Sequence, residues 1–230
     1  MNSPPQPIVA LDVPSLDSAR RIVSQLGSRA GFYKIGLQLF TAEGPRAVEW
    51  LHSAGKRVFL DLKLHDIPAT VQRAAASARE LGAALLTVHG LGGEAMVRAA
   101  LDGALDETRV LVVTVLTSMD LSDASSALGR QLAGLEAEVL RLAEMARGAG
   151  AYGVVCAGAE CAAVRSQPGT PLRVLVPGIR LSGGPADDQQ RITTPAEASR
   201  AGASYVVLGR AVTQAPDPGA AYERIAAELR

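Results

Sequence analysis

The chain has 230 residues, 48% of them apolar and 20% charged, which excludes the disordered class and allows a substantial buried core. Lys plus Arg and Asp plus Glu balance at 23 each, so no overall field draws the chain to nucleic acid or to an anionic membrane surface. Aromatic content of 3% disfavours base-stacking platforms, and two cysteines make neither a disulfide framework nor a multi-cysteine zinc pattern.

The opening residues, Met1-Asn-Ser-Pro-Pro-Gln-Pro, lack the basic and apolar regions of a signal peptide. They read as a flexible lead over 1–6, and a cytoplasmic location is expected. No apolar run reaches the roughly 20 residues that span a bilayer. A first strand is expected over 8–13, ending near Asp12, with Pro14-Ser15 opening a helix over 15–26. A second strand over 32–36 carries Lys34 and is followed by a helix over 41–54. The third strand, 57–62, ends in Asp61-Leu-Lys-Leu-His-Asp-Ile-Pro-Ala-Thr70, with a helix over 67–81. Strand 84–89 ends on His89 before a helix over 93–103. Strand 110–116 runs into Thr117-Ser118, then an extended loop or small extra helix, then a helix over 134–149. Strand 152–156 precedes a helix over 159–166. Strand 173–176 runs into Pro177-Gly-Ile-Arg180, and a helix follows over 195–202. Strand 205–208 ends in Gly209-Arg210, with a last helix over 218–229. Gly27, Gly55, Gly82, Gly150 and Gly202 stand where helices close in a left-handed residue.

Eight strand–helix units with continuous apolar strands and no linker imply parallel pairing with helices outside. Their spacing predicts one (β/α)₈ TIM barrel as a single domain over 1–230. An open doubly wound sheet is the alternative, but the chain lacks a Gly-rich dinucleotide turn.

Barrel enzymes carry their chemistry at the C-terminal strand ends, and here those ends are polar: Asp12, Lys34, Asp61, Lys63, Thr117, Ser118, Arg180 and Arg210. Strand alternation sends Asp61 and Lys63 to the same face. Charges on a buried strand face are costly unless paired or used. Gly209-Arg210 after an apolar run sets a backbone N–H beside a fixed cation, a phosphate site in such barrels, to which Gln189 would add an amide donor. His52, His65 and His89 are dispersed and no ligand set accompanies them, so no metal is expected, although carboxylates at 12, 61 and 66 could hold Mg²⁺ weakly. Ser118 has no nearby base for nucleophilic work. Cys156 and Cys161 are expected to be reduced packing residues.

Several signatures coincide: Ala10-Leu-Asp12-Val, Tyr33-Lys34-Ile-Gly36, the 61–70 segment, Leu116-Thr117-Ser-Met, Pro177-Gly-Ile-Arg180, Asp188-Gln189-Gln-Arg and Val207-Leu-Gly209-Arg210. From about residue 8 to 215 the chain resembles the orotidine 5′-phosphate decarboxylase family. The resemblance implies cofactor-free conversion of orotidine 5′-phosphate to UMP and CO₂, the last step of pyrimidine synthesis. It implies an alternating network of Lys34, Asp61, Lys63 and Asp66, with Lys63 protonating C6. Asp12 and Lys34 would hold the ribose; Thr117 or Ser118 would touch the pyrimidine; Pro177 would line the site. Gln189, Gly209 and Arg210 would hold the phosphate, with Arg180 beside the loop that closes over it. Asp66, Ile67 and Thr70 would serve the neighbouring subunit of a homodimer with shared sites. Two alternatives stand beside this reading. One is a metal-dependent sugar-phosphate decarboxylase or aldolase-like synthase of the same barrel group. The other is a catalytically silent nucleotide-binding protein, which would lack Lys63 or an acid of the network.

Overall fold

Eight strands, β1 (Gln6–Ala10), β2 (Phe32–Gly36), β3 (Arg57–Leu64), β4 (Leu85–His89), β5 (Arg109–Val113), β6 (Gly153–Val155), β7 (Arg173–Val176) and β8 (Tyr205–Leu208), pair in parallel in chain order. β8 pairs back with β1, from Gln6↔Tyr205 to Val9↔Leu208, and closes the expected TIM barrel. This computed structural model describes residues 3–181, 191 and 193–230. The helices among them are α1 (Leu16–Leu26), α2 (Leu37–Glu43), α3 (Pro45–Ser53), α4 (Pro68–Glu80), α5 (Gly93–Ala104), α6 (Leu121–Ala127), α7 (Leu135–Ala149), α8 (Gly158–Ser166), α9 (Pro195–Arg200), α10 (Arg210–Thr213) and α11 (Pro218–Glu228).

Period-2 alternation separates two apolar cores. The barrel interior is filled by Ile8, Ala10, Phe32, Phe59, Leu85, Leu111, Leu175 and Val207. Their strand neighbours Val9, Tyr33, Val58, Leu60, Leu86, Val110 and Val206 face outward into a larger cluster under the helices. Two residues beyond the last inner-core member of a strand the same face emerges at the C-terminal rim. By that parity Asp12 follows Ala10, Lys34 follows Phe32, Asp61 follows Phe59 and Thr87 follows Leu85. Both cysteines are free and buried, and burial pushes the Cys161 thiol up to about 12.

Several expected boundaries shift. β1 spans Gln6–Ala10 rather than 8–13, because the Gln6 amide already pairs with the Ser204 carbonyl at 3.0 Å and Pro14, which lacks an N–H, lies just beyond. β3 continues past 62 to Leu64. Along it the chain advances four residues, Leu60 to Leu64, while β4 advances two, Leu86 to Val88; this irregularity holds Lys63 at φ 48. β5 stops at Val113, short of 116, because its partner β6 is only three residues long. β4 and β6 begin one residue later than expected, and β6 also ends one residue sooner. The helix expected over 41–54 is two. α2 starts at Leu37, and Gly44 at φ 56 breaks the run where Pro45 opens α3. The segment after β5 contains the short helix α6, capped by Asp120, and α10 was not anticipated.

Candidate active site

A cavity of about 590 Å³ opens at the C-terminal ends of the strands. Ala10, Phe59, Val113, Val155, Leu175 and Val207 line its apolar part. Asp12, Lys34, Asp61, Lys63, Thr117, Pro177, Arg180, Gly209 and Arg210, all named from sequence, also line it, with Gln38, Thr213 and Gln214, which were not.

The charges form one connected network. Lys34 Nζ lies 2.8 Å from Asp12 Oδ1 and 3.4 Å from Asp61 Oδ2, and Lys63 Nζ donates to Asp61 Oδ1 at 2.8 Å. The Lys34 and Asp61 side chains are only 8% and 14% exposed, so each charge depends on the other for solvation. Burial pushes the Asp61 carboxyl up. The Lys34 and Lys63 charges, with hydrogen bonds from Lys63 and Thr87, outweigh it and hold the group below its usual range.

Thr87 was missed from sequence. It is fully buried; its hydroxyl donates to Asp61 Oδ1 at 2.9 Å and accepts from the Lys63 amide at 2.9 Å. The available signal was a lone hydroxyl of inward parity within the apolar run Leu85-Leu-Thr87-Val88. Gly36 also shapes the network, because a Cβ there would stand 2.4 Å from Asp12 Oδ1 and 2.8 Å from Lys34 Nζ. Glycine therefore leaves room for that ion pair.

Asp66, Ile67 and Thr70 are exposed and lie outside the lining of this chain's own cavity. Asp66 Oδ1 accepts from the Ile67 amide at 2.6 Å, and Ile67 is 66% exposed. His65 stacks on His89 with ring centroids 5.5 Å apart. Burial, then electrostatic interaction with His65 and Lys63, pushes the His89 imidazole down, favouring its neutral form. Thr117 lines the cavity while Ser118, next to it, is exposed and does not. Arg180 is buried, with Nη1 donating to the Ile179 carbonyl at 3.0 Å. A methyl built on Gly209 meets nothing within 4 Å, so its backbone stands open. Gln189 lies outside the described residues. Among those described, no group of three or more His, Cys, Asp or Glu side chains is placed to hold a metal ion, and no helix is long and apolar enough to cross a membrane.

A buried cation, a buried carboxylate and a second ammonium in hydrogen-bonded sequence can stabilise developing negative charge and deliver a proton to it. A family model described as orotidine 5′-phosphate decarboxylase / HUMPS matches residues 5–225. A protein from Anaeromyxobacter sp. (strain K) named orotidine 5′-phosphate decarboxylase is 53% identical over 221 residues, covering 96% of each chain. One of the same name from Moorella thermoacetica is 45% identical over 230 residues, covering 96% of this chain and 91% of its own length. Among solved structures, orotidine 5′-phosphate decarboxylase from Lactobacillus acidophilus superposes with a TM-score of 0.86 at 36% identity, covering 99% of this chain and 100% of that one.

Proposed function

The chain belongs to the orotidine 5′-phosphate decarboxylase / HUMPS family, and from that premise we propose that it converts orotidine 5′-phosphate to UMP and CO₂ without a cofactor, Lys63 protonating C6. It is an enzyme, a carboxy-lyase. The observation that carries the mechanistic reading is the linked set Lys34, Asp61 and Lys63 at the mouth of an apolar-floored cavity.

Loss of CO₂ breaks the bond from C6 to the carboxylate and leaves the electron pair on C6. That pair is orthogonal to the ring π system, so resonance does not spread it, and stabilisation must come from a fixed cation. The Lys63 ammonium supplies the charge and then a proton to C6, and the resulting amine recovers its proton from solvent. Asp61, held ionised, repels the substrate carboxylate, a repulsion that falls as CO₂ departs. Lys34 holds Asp61 in place. Asp12 with Lys34 would seat the ribose, Thr117 or Ser118 the pyrimidine, with Pro177 against it. Gly209, Arg210 and Gln189 would seat the phosphate, and Arg180 would close over it. Remote phosphate contacts would then organise the site around the reacting carbon.

The same reading makes the enzyme a homodimer in which Asp66, Ile67 and Thr70 complete the partner's site. Its support is the exposure of these residues, together with Leu37 and Leu91, large apolar side chains 56% and 44% exposed beyond β2 and β4, the strands on either side of β3. Action in the cytoplasm, at the last step of pyrimidine synthesis, with no nucleic-acid or membrane partner, completes the proposal.

A chelator-treated sample tests it. Loss of orotidine 5′-phosphate absorbance should proceed at the same rate in EDTA. Turnover that vanished with EDTA and returned with Mg²⁺ would favour a metal-dependent sugar-phosphate enzyme of the same barrel group.

A further inference from the structure

The connection after β7 returns to the barrel at Arg191 and Thr193, just before α9. Its two ends are tied: Ile179 and Thr193 form a parallel bridge, and the Arg180 amide donates to the Thr193 carbonyl at 3.0 Å. Arg191 reaches sideways from this point. Its Nη1 pairs with Glu160 Oε1 on α8, and its Nη2 donates to the Leu116 carbonyl at 3.2 Å. Gly158, at the start of α8, lets the returning chain come this near, since a Cβ there would stand 2.1 Å from Thr193 Oγ1.

The pair is buried, Arg191 15% and Glu160 5% exposed by side chain. Among the described residues Glu160 Oε2 and Arg191 Nε have no hydrogen-bond partner. A buried ion pair with orphaned atoms is a poor stabiliser, because the remaining polar atoms stay desolvated without compensation. Its geometry has a directed result, however. Leu116 and Thr117 line the cavity, as do Gly178 and Arg180, and one guanidinium fastens the first pair to the connection that carries the second.

We propose that Arg191, anchored by Glu160, is a positioning residue that holds the Leu116 carbonyl and so fixes the Thr117 turn as the base-side wall of the site. This rests on the decarboxylase reading, in which that turn meets the pyrimidine. Arg191 touches no reacting atom. Its planar fork serves two acceptors at once, which a lysine ammonium cannot do in the same geometry.

Calorimetric titration with UMP and with ribose 5-phosphate, which lacks the base, separates the possibilities. Arg191→Lys should weaken UMP binding by about 10-fold while ribose 5-phosphate changes by less than about twofold, as expected when a base contact worth one hydrogen bond is displaced. Glu160→Gln, whose amide oxygen still accepts from Arg191, should show the same selectivity with a smaller loss, and it decides the matter if Arg191→Lys does not fold. Equal losses on both ligands would assign Arg191 to the phosphate side and overturn the proposal, as would unchanged UMP affinity. If the wild-type chain bound neither ligand, the decarboxylase reading itself would fall and the proposal with it.

Discussion

Burial alone would make the Asp61 carboxyl easier to protonate; Lys34 and Lys63, with hydrogen bonds from Lys63 and Thr87, reverse that direction. A carboxyl whose folded pKa lies below its unfolded value contributes stability that is present above the unfolded value, near 4, and is lost as pH falls through the folded one. Thr87→Val removes one of the bonds that depress Asp61 and leaves the Lys63 amide without its acceptor. The variant should lose about 1–3 kcal/mol at pH 7, and part of that loss should disappear in acid as Asp61 protonates in both proteins. Its acid limb of activity should move to higher pH. Melts and rate profiles across pH check this; a loss that grows on acidification would contradict it. Asp61 and Lys63 were legible in the sequence because charge at the end of an apolar run is conspicuous. Thr87 was not, since a threonine in a strand has many ordinary uses. Arg191 stood in a recognised motif, but its bond to Leu116, 75 residues away in sequence, is a product of the closed barrel.

At the scale of elements, β2, β7 and β8 have the boundaries read from their apolar runs, because a glycine ends β2, Pro177 follows β7, and Ser204 and Gly209 flank β8. β3 does not, and its departure falls at the proposed reaction site. Its irregularity against β4 lies in the stretch carrying Asp61 and Lys63 and places Lys63 at φ 48, a region that costs a residue with a Cβ about 1–2 kcal/mol. Strain at this position is compatible with fixing an ammonium where chemistry occurs. Lys63→Gly and Lys63→Ala remove the same charge, so their difference isolates the backbone. Lys63→Gly should be the more stable by about 1 kcal/mol, read from denaturant unfolding; an alanine variant equal or superior in stability would remove the strain. The split of the 41–54 helix at Gly44-Pro45 follows from a local signal that helical periodicity alone had covered over.

At the scale of the whole molecule, one barrel gathers residues from 12 to 210 onto a single rim, while Asp66, Ile67 and Thr70 are exposed and lie outside the lining of that chain's own cavity. The sequence reading anticipated the barrel and named the charged residues that line the cavity, because strand parity and rim position are local properties; Gln38, Thr213 and Gln214, which also line it, carried no such signal. Whether the outward residues serve a second subunit depends on assembly, which one chain's pattern does not encode. Mixing Lys63→Ala with Asp66→Ala subunits should restore measurable activity, since each hybrid contains one site with both groups intact. Verified heterodimers without recovery would contradict a shared site.

The proposed proton delivery by Lys63 unites these scales, and the turnover of Lys63→Ala tests it most directly. Followed by absorbance, with UMP binding measured on the same sample, the variant should still bind UMP but lose roughly 10⁴-fold or more in turnover, the combined scale of a lost general acid and a lost fixed charge. Decarboxylation near the wild-type rate would contradict the account.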